Sequence, residues 1–140
     1  MKFSYTNLHV GEPFGPTLAE RLIEIEADLA IRDGKQLIFT DTNFPIGELA
    51  YHLSTWLTTP GERHGFVLDT MSTDPGWVLI EEREEGWTVG SIMEPGVWST
   101  PTSWEKLSSE IRRFVRCVRT DIGLMGADPD CIPDPEGNVL

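Results

Sequence analysis

The sequence predicts an α+β domain, an antiparallel sheet of about six strands with two helices packed on one face, making a two-layer sandwich. Three observations carry this expectation. Apolar and polar residues alternate from Ile23 to Arg32, the period-two pattern of a strand with one buried face. Asp33-Gly34 follows at once and suits a tight hairpin turn, because that turn needs positive φ angles. Two later stretches, after Pro45 and after Thr102, repeat apolar residues every three or four positions, the spacing of a helix with one buried stripe. The resulting order is strand, hairpin, helix, strand, hairpin, helix, and layer packing then puts both helices on one side of the sheet.

Taken in order, residues 2–10 set Phe3 and Tyr5 on one side of a first strand, which Gly11-Glu-Pro-Phe-Gly-Pro16 breaks. In the strand beginning at Ile23, apolar Ile25, Ala27, Leu29 and Ile31 oppose Glu24, Glu26, Asp28 and Arg32. A two-residue turn at Asp33-Gly34 returns Lys35 to Asp41 with Leu29 facing Ile38 and Asp28 facing Phe39. Leu37 and Phe39 are then expected on the acidic, outward face. Proline in the first turn opens a helix whose stripe is Ile46, Leu49, Ala50, Leu53 and Leu57, and Pro60-Gly61 ends it. Phe66 to Met71 reads as a strand, and Trp77 to Arg83 with Trp87 to Met93 as a second hairpin around Glu84-Glu85-Gly86. Thr102-Ser-Trp-Glu105 has the form of a capping box, and Trp104, Leu107, Ile111, Phe114, Val115, Val118 and Ile122 form the stripe of a last helix closed by Gly123. Residues 1–126 are thus expected to be a single domain, and 127–140, with three prolines and four acids, a mobile acidic tail.

Charge separates the chain into zones. Sixteen acids face six bases before Trp104, the last helix is slightly basic, and the tail is acidic again. A formal net charge of -12 over 140 residues repels phosphate backbones and anionic lipid, so nucleic acid and membrane are excluded as partners and a basic protein surface is favoured. Cys117 and Cys131 are too few for a disulfide framework, and no secretory signal or membrane-spanning apolar run is legible. The cytoplasm is the expected compartment.

Catalytic signatures are missing from the pattern: there is no phosphate loop, dinucleotide fingerprint, nucleophile elbow, H-E-x-x-H or C-x-x-C. Asp128, Asp130 and Asp134 suggest a calcium loop, but Ile132 and Pro133 stand where that loop needs a ligand and a glycine. No cofactor and no metal are expected. Glu48 and His52, four apart, read as an exposed helix pair that would need a third group for acid/base or metal chemistry. Arg112, Arg113, Arg116 and Arg119 are accounted for by the helix C-terminal dipole and by pairing with the acidic sheet.

What remains is surface character. Glu24, Glu26 and Asp28 form an acidic row suited to lysines or arginines on a partner, although polar alternation alone also produces such a row. Leu37 and Phe39 beside them would serve as apolar anchors ringed by charge. Glu81, Glu82, Glu84 and Glu85 crowd the second hairpin tip, and Trp98, in Pro-Gly-Val-Trp-Ser-Thr-Pro, is the tryptophan least committed to the core. A non-catalytic acidic protein-binding domain is the favoured class. The alternative is a small enzyme or ligand-binding domain with a pocket between sheet and helices, and a homodimer through the open sheet face would be another use of the same surface.

The stretch Ile25-Glu-Ala-Asp-Leu-Ala-Ile-Arg-Asp-Gly34, with Phe44-Pro-Ile-Gly-Glu-Leu-Ala50, Trp56-Leu57 and Gly86-Trp87, resembles a family of small uncharacterised actinobacterial proteins. That resemblance implies no activity. In size, acidity and α+β composition the chain is also similar to immunity proteins of bacterial toxin systems, which implies an inhibitor that covers a basic toxin or enzyme.

Overall fold

Residues 1–11, 17–61, 63–70 and 73–137 are described in a computed structural model. The chain order is β1 (Lys2–Val10), α1 (Leu18–Ile23), β2 (Ile25–Asp33), β3 (Gln36–Phe44), α2 (Ile46–Thr58), β4 (Phe66–Val67), β5 (Leu79–Arg83), β6 (Gly86–Gly90) and α3 (Trp104–Leu124), followed by a 3-10 turn at Pro129–Cys131. The α+β class holds. The single sheet does not: the strands form two antiparallel sheets of three, β1-β2-β3 and β4-β5-β6. Two of the four edges meet other parts of the chain. Segment 98–102 pairs with β6, through Trp87 and Thr102 (2.8 and 2.9 Å) and through Ser99 and Val89 (2.9 Å), while α3 covers β1. The third helix, α1, takes the place of the first residues of the expected strand. Thr17 caps it by accepting from the Glu20 N–H at 3.2 Å, so Ile23 is helical and β2 starts at Ile25.

The β2–β3 hairpin corrects the expected register in two steps. Asp33 pairs with Gln36, so the turn is Gly34-Lys35, with Gly34 at φ 60°. That shift of two leaves Leu37 facing outward, opposite Arg32. A bulge then intervenes, since the next pair is Ile31 with Phe39, and Ile38 and Phe39 both turn inward. Phe39 is therefore 6 % exposed, against the expectation of an outward anchor, and its ring meets that of Phe44 edge-on at 5.7 Å. One extra residue has exchanged the two faces, as the period of two requires.

Asp28 holds a second irregularity. Asn7 and Asn43 have left-handed φ angles of 56° and 50°, and each lies at a register shift on one side of β2. The Asp28 carboxylate accepts from the Asn7 side-chain amide at 2.7 Å and from the Asn43 backbone N–H at 3.1 Å, so one side chain braces both bulges. These hydrogen bonds, Asn7's first, hold its carboxyl below the usual carboxylate range.

Helix α3 organises the core. Leu107, Ile111, Phe114, Val115, Val118 and Ile122 are all fully buried, the stripe read from the sequence. Phe114 packs on Phe3 and Tyr5 with ring centroids 5.5 and 5.9 Å away. Above it, Glu110 accepts from the Phe3 N–H at 2.7 Å, and Arg113 donates to the Phe3 carbonyl at 2.5 Å, so an ion pair on the helix satisfies the edge of β1. Tyr5 donates to Asp121 at 2.5 Å, and burial together with that carboxylate pushes its hydroxyl pKa far up. At the other end Trp104 meets Trp56 of α2 and Trp87 of β6, with the Arg63 guanidinium 4.1 Å over the Trp104 ring. The N-cap is Ser103, not Thr102, and accepts from the Lys106 N–H at 3.2 Å. The positive-φ glycine beyond the helix is Gly126, not Gly123.

Of residues 127–140, expected as a mobile tail, 127–137 lie folded against the helices and 138–140 lie outside the described residues. Cys131 and Ile132 are buried, and the Ser54 hydroxyl donates to the Pro133 carbonyl at 2.7 Å. Three of the four α3 arginines pair with this segment, Arg119 with Asp130 at 2.9 Å and Arg116 and Arg112 with Glu136, while Arg113 pairs with Glu110 and bonds to β1 at Phe3. Both cysteines are free thiols, and burial raises the pKa of Cys131. No described helix is long and apolar enough to cross a membrane.

Two outcomes follow. Phe114→Ala empties the contact between α3 and β1 and is expected to cost about 3–5 kcal/mol in urea unfolding, whereas Leu37→Ala should stay within about 0.5 kcal/mol. Because Asp28 has a depressed pKa in the folded state, its contribution is present above the unfolded carboxylate pKa and is lost as pH falls through the folded one. Asp28→Asn should lower the melting temperature at pH 7, with the gap to wild type closing below about pH 4. A gap of equal size at pH 3 would refute the bracing role.

Candidate protein-binding surface

The four sheet edges differ in how they are covered. The edge of β1 is bonded at Phe3 by Glu110 and Arg113, β6 is paired by residues 98–102, and β4 is two residues long. Strand β3 is nine residues long, and among the described residues its outer edge is paired with no other strand. A groove of about 470 Å³ follows this edge, floored by Leu37, Ile38, Phe39, Thr40 and Asp41 in unbroken succession and walled by Trp77, Met93, Glu94 and Val97. Leu37 is 40 % exposed and Met93 54 %, with Ile92 beside them at 45 %. Such exposure of large apolar side chains in one place is characteristic of contact surfaces.

The wall is rigidly built. Buried Ser91 accepts from the Met93 N–H at 3.1 Å through its hydroxyl and from Glu94 at 3.2 Å through its carbonyl. Val97 donates to Glu94 at 3.0 Å, and the Trp98 indole donates to the Pro95 carbonyl at 3.0 Å. Trp98 is half-buried, stacked on Gly90 so closely that a Cβ there would meet its ring at 2.7 Å. The Arg83 guanidinium lies 4.5 Å over its other side and also pairs with Glu81 at 3.5 Å. Trp98 thus joins the acidic hairpin tip to the groove wall. Glu82, Glu84 and Glu85 at that tip are exposed.

The acidic row on β2 is differently arranged from the row the sequence suggested. Glu24 is the C-cap of α1 and stands outside the strand. Glu26 lies 3.6 Å from His9, and Asp28 is occupied with the two bulges. The outer face of this sheet is open, with Thr6, Ala30, Thr40 and Arg32 around those acids. Asp41 and Glu94 in the groove went unnoticed in the sequence, because nothing local marks a loop residue and a strand residue as neighbours.

A second concavity of about 400 Å³ lies between α1 and α2, lined by Leu22, Glu48, Tyr51, His52, Asp69 and Thr70 among others. Glu48 is only 6 % exposed and His52 half-buried, so the expected exposed pair is instead drawn into the molecule. Burial lowers the His52 pKa, partly offset by Asp69. No group of three metal-ligating side chains is found among the described residues.

Comparison with curated proteins and with solved structures gives no match. A family model does match, covering residues 3–123, and with them every strand and helix described above except the first residue of β1, the last residue of α3 and the 3-10 turn. The chain belongs to the family described as domain of unknown function DUF7878.

Proposed function

We propose that this is a non-catalytic acidic protein-binding domain that covers a basic surface on another protein, in the manner of an immunity-type inhibitor of a toxin or enzyme. The observation that carries the reading is the apolar groove at Leu37 and Met93, exposed beside an acidic hairpin tip on a chain of net charge -12. Apolar anchors supply the desolvated contact that holds a complex together, while surrounding charge steers the partner in and selects its sign. On this reading Leu37 and the exposed acids Glu82, Glu84 and Glu85 face the partner, with Trp98 and Glu81 beside them engaged by Arg83. Phe39 acts as floor rather than as anchor, Glu26 presents charge from the open sheet face, and Glu24 and Asp28 contribute at its margin.

The cavity at Glu48 and His52 supports a second reading, a small-ligand site. Its apolar wall with a few convergent polar groups is the usual form of such sites. A panel of arylalkyl amines that raises the melting temperature of wild type but not of His52→Ala would favour it.

The deciding experiment is capture from the source organism's lysate at low salt, with elution by a salt gradient, on wild type, on Leu37→Glu/Met93→Glu, and on Glu82→Gln/Glu84→Gln/Glu85→Gln. A basic partner is expected on wild type, absent from the first variant. On the second it should associate several-fold more slowly, with dissociation little changed. Absence of any basic partner, or one indifferent to both variants and to salt, would overturn the reading.

A further inference from the structure

From the groove we infer that the partner is engaged by strand addition: an extended segment carrying apolar residues and a lysine or arginine pairs with the outer edge of β3 between Leu37 and Asp41. This rests on the protein-binding reading and specifies its mode. An edge strand offers a row of N–H and C=O groups to any chain that can lie beside it, and folded proteins ordinarily cover, shorten or interrupt such edges. Here β6 is paired by residues 98–102, β4 is two residues long and β1 is held at Phe3, whereas β3 runs nine residues and among the described residues pairs with no strand on its outer side, with Leu37 and Thr40 exposed and Ile38 and Phe39 buried between them. The groove runs along five successive residues of that edge, so a chain lying in it is parallel to the strand and within reach of its backbone. Backbone pairing would supply affinity, and the groove's side chains specificity.

The chemistry of the occupant is read from the lining. Alternate side chains of an added strand point to opposite faces, so one set would meet Leu37, Met93 and Val97. Methionine, unbranched and polarisable, adapts its shape to more than one apolar side chain. The charged residues of the lining are Asp41 and Glu94, both acidic, so a cation is favoured beside them and an acidic segment is repelled. The same charge argues against a second copy of this chain, which would bring its own Asp41 and Glu94 and a further net charge of -12 to the contact. The wall is held by the hydrogen bonds of Ser91, Glu94 and Trp98, so the groove exists before the segment arrives and little ordering cost is added on binding.

The test uses the full 15N-labelled chain and capped peptides of sequence Lys-Val-Thr-Val-Thr-Val-Lys. One control replaces both lysines by glutamate. Two more are N-methylated on the odd or on the even backbone nitrogens, which removes hydrogen-bond donors from one edge of the peptide and leaves its charge intact. The lysine peptide is expected to bind and to slow hydrogen exchange of amides within Leu37–Asp41. The glutamate peptide should bind at least about tenfold more weakly, as should one methylated form, while the other matches the parent. Equal binding of both methylated forms, protection elsewhere than on β3, or no binding of the lysine peptide would overturn strand addition. So would a dimer in light scattering whose formation protects the same amides, since the occupant would then be a second copy. The protein-binding reading fails separately. If a captured basic partner is lost on Leu37→Glu/Met93→Glu but leaves exchange of the β3 amides unchanged in its complex, strand addition falls and the broader reading stands.

Discussion

Burial of the α3 stripe is the interaction on which the other elements depend. Each three-stranded sheet has an apolar face that must be buried against another layer. Residues Leu107 to Ile122 supply much of that layer. Phe114 fastens the first sheet through Phe3 and Tyr5, and Trp104 fastens the second through Trp87, with Trp56 of α2 completing the junction. Glu110 and Arg113, on the margin of the stripe, also bond both backbone groups of Phe3 at the edge of β1.

The consequence is an asymmetry in the first sheet. Its β1 edge is held at Phe3 by an ion pair, and its β3 edge lies along a groove. If both edges had been sealed, an apolar groove at Leu37 and Met93 would offer side-chain contacts alone. With one edge open, side-chain contact and backbone pairing become available on the same line. On the protein-binding reading proposed above, long-range charge would set how fast a partner arrives and of which sign, and the groove what it touches.

The charge pattern also divides more sharply in space than along the chain. Asp28 and Asp33 are engaged within the fold: Asp33 accepts from the Thr100 N–H at 2.6 Å, which keeps its carboxyl below the ordinary range, and Asp28 braces Asn7 and Asn43. Asp130 and Glu136 neutralise α3 arginines. Glu82, Glu84 and Glu85 face solvent. A net charge counts all of these equally, yet they differ in their availability to a partner.

Local pattern was sufficient for β1, β2, α2, the β5–β6 hairpin and α3, because alternation of two and repetition near three and a half are imposed by whether one face is buried, and that is written residue by residue. It determined Leu37's outward position as well. It did not determine Phe39's, because a bulge depends on how β3 meets β2 rather than on β3 alone. The split into two sheets, the burial of Glu48 and the docking of residues 127–137 had the same origin: each depends on which distant segment packs at an edge, a pocket or a helix face. The groove was settled by tertiary structure alone. Its floor and wall come from residues about forty to sixty positions apart, and nothing in either segment announces the other.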